Sequence, residues 1–257
     1  MSQANSNDYL LVLTACIDPS SGHARLTLAD PRTRLEQYRK ALEHWLLATD
    51  PRLAKILFLE NSGNPLDELR ELVEKNNPLQ KKVEFIQLSN NNYPADLDYG
   101  YAELGMLDEA TQTSKLMADS KYFIKATGRL LFPKLSKLLD RLPADYLFAV
   151  DCHLPVYLIS WSPGVNSNLM IFSVEFYKTE MLGVKSKMND VFRNMETLLY
   201  YKLMDYYKTP GAVLRWPISV DPVGYDAQWG KSYSSPRRKV IGAARSVGRA
   251  LLPGIWI

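Results

Sequence analysis

Short apolar runs alternate with stretches of helical periodicity in the first third of the chain, and this alternation constrains the fold more than any other feature. Residues 9–15 (YLLVLTA), 55–59 (KILFL) and 83–88 indicate three buried strands. Between them, residues 31–48 and 65–75 carry apolar side chains at the spacing of an amphipathic helix. Repeated strand–helix–strand units predict a parallel sheet with right-handed crossovers.

The same kind of pattern continues along the chain. Further helices are predicted over residues 105–118, 131–142 and 188–207, and further strands over 122–124, 146–150 and 169–176. We therefore predict an α/β fold, in which a mostly parallel central sheet is flanked by helices.

Composition narrows the class of protein. The chain has 257 residues, 46% of them hydrophobic and 23% charged, which suits one globular α/β domain with a real core, with two small domains as the alternative. The polar N-terminus does not resemble a secretory signal, and no apolar run reaches the length of a membrane span. Two cysteines in a chain of this length favour a reducing compartment, so we predict a cytoplasmic protein.

Three polar segments follow the three predicted strands: Thr14–Asp18, Glu60–Gly63 and Ser89–Asn92. In parallel α/β sheets, ligands bind beyond the carboxyl ends of the strands. We therefore expect Thr14 and the other residues of these segments to face a ligand.

The stretch 123–132 (FIKATGRLLF) is the most informative motif. A strand that ends in Lys125, Thr127, Gly128 and Arg129 brings two cations, a hydroxyl and a flexible turn to the carboxyl edge. Phosphate oxygens need charge-assisted donors and close approach to the backbone, which these residues offer. A solvated basic turn explains the same residues equally well.

Glu60, Asn61 and Ser62 directly follow the second strand. Acids at this position of nucleotide-binding sheets contact the ribose or base, so these residues are candidates for nucleoside binding. A tight turn followed by a helix cap is the alternative.

Asp151 and His153 form an Asp-x-His pair at the end of a predicted strand, where both side chains project to one face. They are candidate ligands of a divalent metal that bridges two phosphates. A capping aspartate and a half-buried histidine are the simpler alternative. The chain has three histidines, which argues against a histidine-rich zinc site, and it lacks Walker and Gly-x-Gly-x-x-Gly motifs.

Glu196 lies in a helix that is otherwise apolar and aromatic (VFRNMETLLYYKL). A carboxylate among apolar neighbours can serve as a general base, although most helical glutamates are solvated. Asp190 and Glu175 are alternative carboxylates for this role.

The positive charge is concentrated at the C-terminus. Residues 236–257 contain five basic residues and no acid, whereas the whole chain carries +3, so residues 1–235 carry −2. A nearly neutral body argues against a nucleic-acid-binding surface. Val240, Ala244, Val247 and Leu251 share a helical stripe, so we predict that 236–257 is an amphipathic helix that lies on an anionic membrane. A helix that docks on the domain or on a partner is the alternative.

The order of these elements resembles that of bacterial glycosyltransferase-like proteins of surface-polysaccharide (lipopolysaccharide and capsule) gene clusters, which have a GT-A-type, Rossmann-like nucleotide-sugar fold. The resemblance covers residues 9–235. It is carried by the opening strand YLLVLTACIDP, the strand end FLENSG, the helix start GYAELGMLDEA, the Lys-x-Thr-Gly-Arg motif in FIKATGRLLF, and the helix around Met195 and Glu196.

The resemblance implies transfer of a sugar from a nucleotide-sugar donor to a lipid-linked or oligosaccharide acceptor, with 1–235 as the catalytic domain and 236–257 as the membrane tail. It implies that Glu60 and Asn61 contact the nucleoside, that Glu103 faces the same cleft, and that Glu196 is the base. Lys125, Thr127 and Arg129 would contact the phosphates.

One departure concerns metal. The Asp-x-Asp motif of GT-A enzymes is missing from the strand that carries Lys125. Either Lys125 and Arg129 replace the metal, which we favour, or Asp151 and His153 supply it. A nucleotidyltransferase and a non-catalytic, membrane-associated binding module of a polysaccharide-assembly complex are the rival functions. The enzyme hypothesis expects Glu60, Lys125 and Arg129 to converge on one pocket.

Overall fold

Strand β1 (Tyr9–Ala15) lies inside the central sheet and pairs in parallel with β2 (Lys55–Glu60) on one side and β4 (Tyr122–Thr127) on the other. Strand β3 (Lys82–Gln87) extends the sheet beyond β2, also in parallel. The computed structural model describes residues 8–23, 26–154 and 162–235 and Gly242. Apart from Gly242, the predicted membrane tail 236–257 lies outside the described residues.

Seven strands form this sheet in the described residues, in the order β3-β2-β1-β4-β8-β5-β9. The remaining members are β5 (Phe148–Ala149), β8 (Leu169–Ser173) and β9 (Ala212–Val213), and a separate hairpin joins β6 (Cys152–His153) to β7 (Gly164–Val165). Strand β8 is antiparallel to both β4 and β5, and the other pairs of the seven-stranded sheet are parallel. The predicted mostly parallel sheet is confirmed.

Helices cover both faces of the sheet. They are α1 (Pro31–Leu47), α2 (Asp67–Lys75), α3 (Gly100–Thr113), α4 (Lys115–Ala118), α5 (Leu135–Leu139), α6 (Val174–Phe176) and α7 (Met195–Met204). Short 3₁₀ turns occur at Pro19–Ser21, Pro51–Leu53 and Val184–Lys187, and a π turn at Tyr177–Met181. Among the described residues, none of the helices combines the length and apolarity needed to cross a bilayer.

Alternation along the strands divides the core into two halves. Leu11 and Leu13 pack with α1, α2 and α5, whereas Leu10 and Val12 pack with α3, α4, α6 and α7. Successive strand residues point to opposite faces, so each strand serves both halves. This division decides which polar residues at the strand ends can meet.

Several predicted boundaries were wrong, and side-chain caps explain two of them. The helix predicted over 188–207 begins at Met195 because the Asn194 side chain accepts a 2.8 Å hydrogen bond from the Thr197 N–H. The helix predicted over 105–118 begins at Gly100 and is divided at Ser114, which caps α4. The elements predicted over 131–142, 146–150 and 169–176 are shorter than expected.

Candidate functional site

A cleft of about 260 Å³ lies at the carboxyl edge of the sheet. Strands β1, β2 and β4 end at this edge, and β8 begins there because it runs in the opposite direction. Six of the predicted site residues line the cleft: Thr14, Asn61, Glu103, Thr127, Arg129 and Glu196. The predicted location of the ligand site is therefore the location of a real cavity.

Glu60 lies behind the wall of the cleft. Its side chain is 0% exposed, and its Oε1 accepts hydrogen bonds from the backbone N–H groups of Ile17 (3.0 Å) and Ser62 (2.9 Å). Ser62 donates a further, side-chain hydrogen bond to the same oxygen and accepts one from the Asp18 N–H. Glu60 and Ser62 thus hold the loop after β1 in place.

Asn61, one residue further along, faces the cleft. Its side chain is 2% exposed, and its amide oxygen Oδ1 is buried without a hydrogen-bond partner among the described residues. A buried polar atom without a partner costs about 1–3 kcal/mol. Asn61 lines the cleft, although this oxygen itself has almost no accessible surface.

Lys125 is fully buried on the α3 side of β4, and it does not line the cleft. Its Nζ lies 2.7 Å from Glu103 Oε1 and donates a 2.6 Å hydrogen bond to the Ser167 carbonyl. Thr14 Oγ1 donates a 2.7 Å hydrogen bond to the same Glu103 oxygen. Glu103 reaches the cleft, whereas Lys125 supports it from behind.

Arg129 is the predicted cation that does reach the cleft, where it is half-buried and donates to the Tyr225 carbonyl. Gly128 is buried beneath it, and its N–H donates a 2.8 Å hydrogen bond to the Thr14 carbonyl. Of the three residues expected to converge, Arg129 alone lines the cleft, since Glu60 and Lys125 lie buried directly behind it.

Glu196 lies in the first turn of α7 and also lines the cleft. Ser167 Oγ donates a 2.6 Å hydrogen bond to its Oε1, which fixes the carboxylate. Asp98 accepts a 2.8 Å hydrogen bond from the Gly100 N–H at the start of α3. Burial, and then the negative charge of Glu196, raise the pKa of Asp98 to about 7. Acidic groups therefore cluster around the start of α7.

The other candidate carboxylates lie elsewhere. Asp190 is 84% exposed and its Oδ1 lies 3.5 Å from Arg193, outside the cleft lining. Glu175 lines a different cavity, at the amino end of β4. Neither residue is placed to act in the cleft with Glu196.

Asp151 and His153 flank Cys152 at the β6–β7 hairpin, and neither lines the cleft. Within the described parts of the chain, no group of three or more His, Cys, Asp or Glu side chains is arranged to hold a metal ion. The pair therefore does not form a complete protein site for a divalent cation, and we assign no reaction step to a metal.

Cys16 also lines the cleft. Burial raises the pKa of its thiol to about 12, although the nearby Arg34 acts in the opposite direction. A thiol with this pKa stays protonated at neutral pH, so Cys16 does not supply a thiolate nucleophile.

Sequence reasoning missed a hairpin formed by residues 223–233, which closes one side of the cleft with Asp226, Ala227, Gln228 and Tyr233. The Leu28 N–H donates a 3.0 Å hydrogen bond to the Ala227 carbonyl, which attaches this hairpin to the loop before α1. Its turn residues, such as Gly224 and Gly230, were the available signal, but turn chemistry does not reveal what a hairpin packs against.

Arg34 was also missed. It is 4% exposed and lines the cleft, yet its guanidinium donates to the carbonyls of Cys16 (2.7 Å) and Leu28 (2.9 Å). It therefore ties the start of the connection between β1 and α1 to a position near its end.

No protein-family model and no curated protein matches the chain. Among solved structures, the glycosyltransferase GlyE of Streptococcus pneumoniae TIGR4 has a TM-score of 0.48 and 10% identity, covering 80% of this chain and 44% of that chain. This chain thus spans less than half of that protein.

Two other similar structures are covered more fully. A cytidylyltransferase from Leptospira borgpetersenii has a TM-score of 0.47 and 13% identity, covering 90% of this chain and 83% of that chain. Core-mannan synthase A of Aspergillus fumigatus, in a Mn/GDP form, has a TM-score of 0.49 and 8% identity, covering 95% of this chain and 84% of that chain. At these identities and TM-scores, the similarity concerns the fold and says nothing about substrate or residue roles.

Proposed function

We propose that this protein is a glycosyltransferase that uses a nucleotide-sugar donor. One observation carries the proposal: Asn61, Arg129 and Glu196 line one cleft at the carboxyl edge of the sheet. A nucleobase or ribose offers hydrogen-bonding groups that suit an asparagine amide. Arg129, in the same cleft, supplies the cation that phosphate groups require.

The chemistry assigns a role to each end of the cleft. The nucleoside lies against Asn61, and the phosphates lie by Arg129, which stabilises the negative charge of the departing nucleotide. Glu196 accepts the proton of the acceptor hydroxyl, whose oxygen forms the new bond to the sugar carbon while the bond from that carbon to the phosphate oxygen breaks. The Ser167 hydrogen bond orients the Glu196 carboxylate for this transfer.

The acceptor and the cellular setting extend the proposal. We propose a lipid-linked or oligosaccharide acceptor in surface-polysaccharide synthesis, and a cytoplasmic protein that is held peripherally at the inner face of the membrane through residues 236–257. The support is the basic, acid-free composition of that segment.

Nucleotide binding tests the proposal most directly. A panel of UDP-glucose, GDP-mannose, dTDP-glucose and CMP-sialic acid is screened for thermal stabilisation, since a ligand of the folded state raises the melting temperature. Asn61→Ala should weaken binding of the stabilising ligand about tenfold. Asn76→Ala, at an exposed position far from the cleft lining, is the matched control. If the wild type is stabilised by none of these donors, the proposal fails.

Two further measurements separate the rival functions. A nucleotidyltransferase would release pyrophosphate from CTP in the presence of a sugar phosphate, whereas a glycosyltransferase releases a nucleoside mono- or diphosphate from the sugar nucleotide. A non-catalytic module would bind the nucleotide without turnover. Repeating the binding with EDTA or MnCl₂ shows whether Asp151 and His153 take part through a metal, because His153→Ala would then remove the effect of manganese.

A further inference from the structure

Glu103 gives the cleft a negative charge, and Lys125, the cation that pairs with it, is buried. The Glu103 side chain is 13% exposed and lines the cleft, whereas the Lys125 side chain that pairs with it is 0% exposed. Two of the three Lys125 N–H donors are used by Glu103 and by the Ser167 carbonyl. A ligand in the cleft therefore meets the carboxylate and not the ammonium.

Among the residues that the structure describes, the hydrogen bonds of Glu103 leave one of its oxygens for a ligand. Lys125 and Thr14 both contact Oε1, at 2.7 Å each, and neither contact uses Oε2. An ionised carboxylate only accepts hydrogen bonds. Its partner in the cleft must be a donor, and an anionic phosphate is repelled from the same position.

Arg129 and Glu103 therefore divide the cleft by chemistry. Both line it, one as a cation at the turn after β4 and the other as an anion on α3. Phosphate oxygens suit the first position, and sugar hydroxyls suit the second.

We propose that Glu103 is a hydroxyl-binding residue that accepts hydrogen bonds from a sugar ring of the ligand, and that buried Lys125 is a positioning residue for it. This inference rests on the proposed function and adds the orientation of the donor in the cleft. The hydroxyls belong to the nucleoside ribose or to the transferred sugar.

The hydrogen bonds of Lys125 also connect Glu103 to Glu196, the proposed base. Ser167 accepts from Lys125 through its carbonyl and donates to Glu196 through its hydroxyl. Lys125 thus links the hydroxyl-binding carboxylate to the residue that orients the proton acceptor. A ligand held at Glu103 is held at a set distance from Glu196.

Calorimetric binding with matched ligand pairs tests the inference. UDP, GDP and CDP are compared with their 2′-deoxy analogues for the ribose, and with UDP-glucose, GDP-mannose and CDP-glucose for the transferred sugar. In the wild type, the member that carries the contacted hydroxyl should bind about tenfold more tightly. The pair that shows the difference identifies the source of the hydroxyl.

The double variant Glu103→Gln with Lys125→Met removes both charges without leaving either one buried alone. It should reduce that tenfold difference to less than about threefold, while the affinity for the ligand without the hydroxyl changes little. Glu109→Gln, on the same helix and outside the cleft lining, should retain the full difference.

Three results would overturn the inference. The double variant keeps the wild-type difference at unchanged affinity. Or it keeps the difference but loses affinity equally for both members of each pair, as it would if Lys125 bound phosphate. Or the wild type binds nucleotides and shows no difference in any pair. In each case the wild type binds nucleotides, which separates this failure from that of the proposed function, where no nucleotide binds.

Discussion

The Gly128 N–H donates a 2.8 Å hydrogen bond to the Thr14 carbonyl, which ties the carboxyl end of β4 to that of β1. A Cβ at position 128 would lie 2.8 Å from that carbonyl oxygen and 3.4 Å from the Leu13 carbonyl carbon. Both are backbone atoms, so neither moves aside cheaply. The wall of the cleft at Thr14 depends on this close approach of the two backbone segments.

We therefore predict that Gly128→Ala lowers the free energy of unfolding by about 1–3 kcal/mol, as overpacking typically does. Urea denaturation measures the change. Gly105→Ala is the comparison, because a Cβ there first meets the flexible end of the Lys185 side chain, at 2.9 Å, rather than another backbone segment. Equal stability of Gly128→Ala and the wild type would contradict the observed packing.

Glu60 should matter for stability more than for ligand contact. Glu60→Ala leaves the Ile17 and Ser62 N–H groups, which donate to Oε1, without an acceptor. The substitution should lower the free energy of unfolding by about 2–4 kcal/mol. Glu60→Gln keeps an acceptor oxygen and should cost less. Urea denaturation of the two variants decides this, and a glutamine variant as unstable as the alanine variant would contradict the role of Oε1.

Asp98 predicts a pH dependence of stability. Burial and the charge of Glu196 raise its folded-state pKa to about 7, against an ordinary value of 3.8. Between these values the folded protein holds a proton that the unfolded chain has released, so stability contributed by this group falls as the pH rises from 4 to 7.

Asp98→Asn retains the acceptor for the Gly100 N–H and removes the titration. We predict that the unfolding free energy of this variant declines less than that of the wild type over the same pH window. Parallel urea titrations at several pH values give the difference. If the two curves run parallel, Asp98 does not hold a proton near neutrality.

Glu196→Gln separates catalysis from binding. Loss of the general base should lower kcat by about 10²–10⁴-fold and leave nucleotide affinity nearly unchanged. Ser167→Ala removes the 2.6 Å hydrogen bond that orients Glu196 and should have a smaller effect in the same direction. Release of nucleotide from the stabilising donor is the readout. Wild-type turnover by Glu196→Gln would exclude it as the base.

We predict from its basic, acid-free composition that the segment 236–257 binds anionic membranes. Deletion of 236–257 removes five cations, and each contributes about 1 kcal/mol near an anionic surface. The truncated protein should fail to sediment with vesicles that contain 30% phosphatidylserine, while the full chain sediments and is released by salt. Vesicles of phosphatidylcholine alone are the control, and equal binding of the two proteins would refute the role of the segment.

Local pattern was enough to predict the mostly parallel sheet and the edge at which the cleft lies. The apolar runs of β1, β2 and β3 alternate with amphipathic helices, and this periodicity follows from which residues are buried. The polar residues that end these strands meet at one edge because parallel strands share their direction. Thr14 and Asn61 were found in this way.

The ends of the elements and the directions of the strands were harder to predict from the sequence. The start of α7 depends on the Asn194 cap, and many asparagines in a sequence cap nothing. The antiparallel course of β8 brings Ser167 to the cleft, and an apolar run does not show in which direction it joins a sheet.

By itself, the sequence determined the α/β class, the order of strands and helices from β1 to β4, and the edge at which polar groups collect, because these follow from short-range periodicity. Tertiary structure alone decided that Lys125 is buried against Glu103, that Glu60 braces a loop, and that the 223–233 hairpin closes the cleft. Those outcomes depend on which distant elements meet, and a one-residue change of register in β2 or β4 would turn Glu60 or Lys125 to the other face of the sheet.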